Sequence, residues 1–249
     1  MKRTVDIVVI SDSHLGTFGS HAKRLHQYLE SVSPKQLIIN GDLIDIWQFM
    51  KWYFPKSHTQ VLQKINELIN SGIPVYYLTG NHDDLLRRFT PIKLANFQLI
   101  DELTLNIDGK KTWVLHGDIY DKSIKARSVA VIGGLGYNCL IVVDRLFNQF
   151  LRFCGRKKPI RISKGLKDFS KKAAKKIGNF EQEAIDTAIE NGYDNLICAH
   201  IHKPQMRQAM HTDGSKSIFY LNSGDWVENT TSLEYNNGEW KIFNFERDF

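Results

Sequence analysis

Five apolar stretches of this chain run out into residues of the kind that ligate metal ions. Val5-Asp6-Ile7-Val8-Val9-Ile10 leads to Asp12 and His14, Leu37-Ile38-Ile39-Asn40-Gly41 to Asp42, and Val75-Tyr76-Tyr77-Leu78 to Asn81 and His82. Thr112-Trp113-Val114-Leu115 leads to His116, and Asn195-Leu196-Ile197-Cys198 to His200 and His202. A lone Gly41-Asp42 would most simply cap the next helix. Five such endings in one chain ask for a shared purpose. Carboxylates, imidazoles and one amide oxygen make a mixed O/N set that suits Mn²⁺, Fe²⁺ or Zn²⁺. No cysteine belongs to the set, which argues against a structural zinc site. The seven candidates Asp12, His14, Asp42, Asn81, His116, His200 and His202 suffice for two ions with one carboxylate between them. Two ions about 3.5–4 Å apart can hold a hydroxide between them and clamp a phosphoryl oxygen for in-line attack.

Elements with particular ends must position such residues. The β-branched run Val5–Ile10 reads as a central parallel strand. Ligands bind at the C-terminal ends of strands in open α/β sheets, which is where each candidate stands. Asp12 and His14 lie two apart, so in extended backbone they point the same way. Arg24–Val32 reads as a helix, with Leu25, Tyr28, Leu29 and Val32 on one face. Thr59–Asn70 reads as a second, stopped by Gly72 and Pro74. Leu99–Ile107 reads as an edge strand with a turn at Asp108-Gly109. From Ser217 onward, strands are expected at Ile218–Asn222, Ser232–Tyr235 and Trp240–Phe245. Residues 120–192 break this pattern and read as a helical cap inserted into a single domain over 1–249.

A chain of 249 residues with 42% hydrophobic content can bury one large core. The start, Met1-Lys2-Arg3-Thr4-Val5-Asp6, has no long apolar run and reads as lacking a secretory signal. Cys139, Cys154 and Cys198 have no CxxC spacing and read as reduced thiols in a cytoplasmic protein. The net charge of +6 is concentrated: from Arg152 to Lys176 eleven basic residues face the single Asp168, so the rest of the chain is net negative. Val129–Val143, just before, carries no charge and is too short to cross a membrane. The basic stretch is open to three readings: a solvated helix face, a cap that grips phosphate, or a patch that meets anionic lipid at a membrane surface. Only Phe153 and Phe169 are interleaved with these basic residues, with no run of stacking aromatics, which lowers nucleic acid as a partner.

The motifs Asp12-Ser13-His14, Gly41-Asp42-Leu43-Ile44-Asp45, Gly80-Asn81-His82-Asp83, His116-Gly117-Asp118 and His200-Ile201-His202 resemble, in order, the five blocks of the calcineurin-like metallophosphoesterases. The resemblance implies an α/β fold: a β-sandwich of two mixed sheets flanked by helices. It also implies that Asp12, His14, Asp42 and His202 hold one metal, that Asp42, Asn81, His116 and His200 hold the other, and that Asp42 bridges them. His82 would sit beside the phosphate and steady the transition state or protonate the leaving oxygen, for which a histidine is suited at neutral pH. Ala199 stands where the family usually has glycine.

The helical cap between the fourth and fifth blocks, and Asn222-Ser223-Gly224-Asp225-Trp226-Val227-Glu228-Asn229, are similar to the UDP-2,3-diacylglucosamine hydrolase branch of that family. That branch implies release of UMP from a nucleotide-linked lipid at the inner membrane on the path to lipid A, with Mn²⁺ as the usual metal. The partners implied are a phosphate-containing substrate and, through the basic and apolar cap, the membrane surface. The Val129–Leu151 helix and the Trp47–Phe54 loop would line an acyl trough or pack as ordinary core. Branch members carry arginine where this chain has His82, which admits a different diphosphate or phosphodiester as substrate. A cyclic-nucleotide phosphodiesterase, a phosphomonoesterase and a non-catalytic scaffold are the alternatives, the last disfavoured by the full ligand set. Asp45 is expected to orient the site by hydrogen bonds, as are Asp83 and Asp118. His21, His26, His58 and His211 have no partner pattern and read as surface or capping residues.

Overall fold

Alternation along the strands decides the layering. In a computed structural model, which describes residues 2–46, 53–120 and 180–249, strand β1 (Arg3–Ile10) turns Val8 and Ile10 to one face and Ile7 and Val9 to the other. Strand β2 (Val32–Asn40) does the same with Leu37 and Ile39 against Ile38. Successive strand side chains point to opposite faces, so a strand buried on both must be apolar throughout its inner part. The first face meets helices α1 (Ala22–Ser31) and α2 (Lys56–Asn70) through Leu25, Tyr28, Leu29, Val61, Ile65 and Leu68. The second face meets another sheet.

The first sheet has the order β12-β11-β1-β2-β3-β5-β4, with β3 at Val75–Leu78, β4 at Ile92–Leu94, β5 at Phe97–Ile100, β11 at Thr231–Asn236 and β12 at Glu239–Asn244. The second has the order β6-β7-β8-β10-β9, with β6 at Glu102–Ile107, β7 at Lys110–Leu115, β8 at Asn195–Cys198, β9 at Gln205–Met210 and β10 at Ser217–Asn222. Both sheets are mixed. Their facing sides share one apolar layer that includes Val9, Ile38 and Leu78 from the first and Val114, Ile197 and Leu221 from the second. Each such side chain contributes roughly 1.5–3 kcal/mol by leaving water. On the far side of the second sheet, a helix over residues 180–190 packs Ala184, Ile185, Ala188 and Ile189 on Trp113, Leu115, Leu196 and Cys198.

The fold is therefore the β-sandwich of two mixed sheets flanked by helices that the motifs imply. Leu99–Ile107 is not one edge strand. The chain breaks at Asp101, and β5 and β6 join different sheets. Residues 180–190, the end of the stretch read as cap, form a layer on the second sheet. Residues 121–179, with Cys139, Cys154, the Val129–Leu151 stretch and the basic stretch, lie outside the described residues, as does the loop over 47–52. Among the described residues no helix is long and apolar enough to cross a membrane.

Candidate metal centre

In the first sheet β1, β2 and β3 are parallel neighbours, and in the second β7, β8 and β10 are. Parallel pairing sends their C-terminal ends the same way. The sequence candidates leave β1, β2 and β3 on one side and β7 and β8 on the other, and they meet across the rim. His116 Nε2 lies 3.3 Å from Asp42 Oδ2, and His202 Nε2 lies 3.2 Å from Asp12 Oδ1. His14 Nε2 is 3.8 Å from Asp42 Oδ2 and 4.0 Å from Asp12 Oδ1. The backbone N–H of His200 donates to Asp12 Oδ2 at 3.3 Å. Two trios of the sequence candidates face one another, Asp12/His14/His202 and Asp42/His116/His200, and a third group, His14/Asp45/His82, stands beside them. Asn81 stands in the same rim, between Gly80 and His82, whose N–H donates to Asp42 Oδ1 at 2.8 Å.

Buried polar atoms usually have hydrogen-bond partners. Here Asp12 Oδ1, His14 Nε2 and His116 Nε2 are buried without one. Metal bonds of about 2.1 Å put neighbouring ligand atoms about 3.0 Å apart and opposite ones about 4.2 Å apart in an octahedron. The separations of 3.2 to 4.0 Å fall in that range. The donor set and its spacing fit divalent ions.

The ligand backbone is itself unusual. Asp12, His14, Asp42, His200 and His202 all have positive φ, between 45° and 68°. Left-handed backbone costs a non-glycine residue roughly 1–2 kcal/mol, and residues held there cluster at functional sites.

Neighbouring groups fix each ring. The Asn40 carbonyl can only accept, so His116 Nδ1–H donates to it at 2.8 Å and Nε2 is left as the ligand atom. Asn40 Nδ2 donates to the Leu115 carbonyl at 3.0 Å, joining the sheets at the same point. Asp45 Oδ2 lies 3.2 Å from His14 Nδ1 and 2.8 Å from His82 Nδ1, holding both rings from behind. Asp83 is buried and accepts from Tyr77 Oη, Gly80 N–H and Leu43 N–H, which ties the Asp42 loop to the Asn81 loop. Phe180 lies against the His200 ring, with centroids 5.6 Å apart.

The electrostatics follow from burial and charge together. Burial alone would raise the Asp42 carboxyl, but His116, His82 and His14 outweigh it and hold it well below its ordinary range. Burial would lower His202, yet Asp12, with Asp225 and Asp42, lifts it to about 9. Burial, helped by the Asp42 charge, raises Asp83 to about 7. A cluster that stabilises cationic imidazoles beside carboxylates will accept a cation in place of those protons.

Two glycines make room. A Cβ on Gly80 would strike the Asp42 carboxylate, and one on Gly41 would strike the His116 ring. Gly80→Ala is therefore expected to displace Asp42 and to lower metal affinity by about 10–100-fold with little loss of secondary structure. Titration of the metal-free variant with Mn²⁺, beside its circular dichroism, checks this.

Asp225 is a contributor that the residue-by-residue reading did not assign. It accepts from Val227 N–H at 2.7 Å and lies 3.9 Å from His202 Nδ1. Asn229 Nδ2 donates to the His202 carbonyl at 2.8 Å, and Trp226 N–H to the Asp12 carbonyl at 3.1 Å. The signals for it were its place after β10, another apolar strand, and its membership of the Asn222–Asn229 block. His58 is not at the surface: it is buried, and its Nδ1 accepts the Gly16 N–H at 2.9 Å beside the Asp12–His14 loop.

Residues 5–204 match the family model for calcineurin-like phosphoesterase. Among curated proteins, a UDP-2,3-diacylglucosamine hydrolase of Vibrio atlanticus is 24% identical over 87% of this chain and 86% of its own length. One of Shewanella is 27% identical over 79% of this chain and 78% of its own. One of Porphyromonas gingivalis is 30% identical over 48% of each chain, so this chain spans about half of that relative.

Proposed function

The chain belongs to the calcineurin-like phosphoesterase family, and from that premise we propose that it is a two-metal diphosphatase acting on a nucleotide-linked lipid. UDP-2,3-diacylglucosamine, cleaved with release of UMP, is the substrate we propose. The observation that carries the two-metal part is the meeting of two trios of ligand atoms from opposite sheets, with three buried atoms lacking partners. Asp12, His14 and His202 would hold one ion, and Asn81, His116 and His200 the other, with Asp42 shared between them. Bound there, divalent ions supply a nucleophile at neutral pH and neutralise charge on the phosphoryl oxygens. Mn²⁺ is the metal we propose. His82, with its side chain 27% exposed at the mouth of the site, would meet the phosphate or the leaving oxygen.

The names of the relatives support the lipid part, and so does the basic and apolar stretch of sequence over 129–176. That stretch would bring the protein to the cytoplasmic face of the inner membrane. The test is UMP release from UDP-2,3-diacylglucosamine in detergent with Mn²⁺. Metal-dependent release is the expected result. No release, with hydrolysis of an aryl phosphodiester intact, would keep the two-metal chemistry and replace the lipid substrate by another phosphate ester.

A further inference from the structure

Six residues after Asn81, Arg87 sits in a short 3₁₀ helix, Asp84–Phe89, and reaches across the rim to the other sheet. Its Nη2 donates to both carboxylate oxygens of Asp118 at 2.8 Å and to the Thr79 carbonyl at 3.3 Å. Its Nε donates to the Thr79 hydroxyl at 3.1 Å. Thr79 directly follows β3 in the first sheet. Asp118 stands two residues beyond His116, after β7 in the second. The Thr79 hydroxyl donates in turn to Asp101 Oδ1 at 2.6 Å. Asp101 is the residue at which the chain passes from one sheet to the other. One guanidinium therefore binds the rim of each sheet and, through Thr79, the crossover between them.

Apolar contact between sheets sets no direction and no fine spacing. A metal cage whose ligands come from both sheets needs both, since ligand distances must hold to about 0.2 Å. Ion pairs with a buried carboxylate are directional, and Asp118 is buried. We infer that Arg87 and Asp118 are positioning residues, which fix the loop of Asn81 and His82 against the loop of His116 and so hold the two halves of the cage at working distance. This rests on the two-metal reading above.

Arg87→Met keeps the stem and removes the donors, and Asp118→Asn removes the charge. Each is expected to lower the affinity of the metal-free protein for Mn²⁺ by about 10–100-fold, read by calorimetric titration. On an aryl phosphodiester, kcat is expected to fall by a similar factor with KM changed less than about twofold. Arg87→Lys should recover only part of this, because an ammonium lacks the fork. The double variant should lose no more than the worse single one. The titration needs no turnover, so a chain that proved inactive on every ester would still test the inference. Wild-type Mn²⁺ affinity and kcat in a folded Arg87→Met protein would overturn it. So would a raised KM with kcat unchanged, which would make Arg87 a substrate-gripping group, or additive losses in the double variant.

Discussion

Replacing Asp42 by alanine is expected to cut turnover by at least about 10³-fold and to weaken both metal sites, a loss of about 4 kcal/mol in transition-state stabilisation. Asp42 is buried between the two trios: one oxygen lies 3.3 Å from His116 and 3.8 Å from His14, and the other accepts the His82 N–H. Asp42 Oδ2 thus approaches a ring nitrogen from each trio. Alanine would leave His116 and His14 facing a void with no negative group to balance an ion. Asp42→Asn, which keeps the shape and one oxygen, guards against a merely unfolded protein and should show most of the same loss. Metal content by mass spectrometry, with kcat on an aryl phosphodiester, measures both effects. Wild-type activity in either variant would remove Asp42 from the bridging role.

His82→Ala is expected to behave differently. Turnover should fall by about 10²–10⁴-fold, as for loss of a positioned proton donor, while both metals stay. The backbone N–H of residue 82 keeps its bond to Asp42 whatever the side chain. The ring packs edge-on against His14, with centroids 4.6 Å apart, and turns Nδ1 toward Asp45. By ring geometry Nε2 then faces away from Asp45. A fall in metal content that tracks the fall in activity would instead make His82 a ligand.

The candidate ligands were legible because of a local rule. A strand buried on both faces reads as an unbroken apolar run, so its end is conspicuous, and Ile10, Asn40, Leu78, Leu115 and Cys198 are the ends found. The pairing of those ends was not legible residue by residue, since it joins Asp12 to His202 and Asp42 to His116 across two sheets. It came from the family resemblance. The break at Asp101 was hidden for a related reason: Leu99, Leu103, Leu105 and Ile107 keep one alternate-residue register on both sides of it, and the bonds that Asp101 accepts from Thr79 and Thr90 are made only in the fold. Strand β9, Gln-Met-Arg-Gln-Ala-Met, escaped notice because it lies at an edge with only Ala209 buried. Asp225 acts on His202 through a loop, and loops carry no period. The helix at 180–190 shows a plain stripe of Ala184, Ile185, Ala188 and Ile189, which a coarse reading of the whole stretch as cap passed over.

Strand β1 pairs on one side with β2, its near neighbour in the chain, and on the other with β11, where Ile7 stands opposite Tyr235. The loop after β1 is likewise braced by Trp226 and faced by His202. During synthesis from the N-terminus, a nascent chain that has reached only residue 200 holds all three residues of the second trio but lacks His202 of the first. The first trio stays open until residues 202 to 226 emerge. A chain cut after residue 200 would thus keep the second trio and lose the first, since His202 and the Trp226 brace both lie beyond the cut.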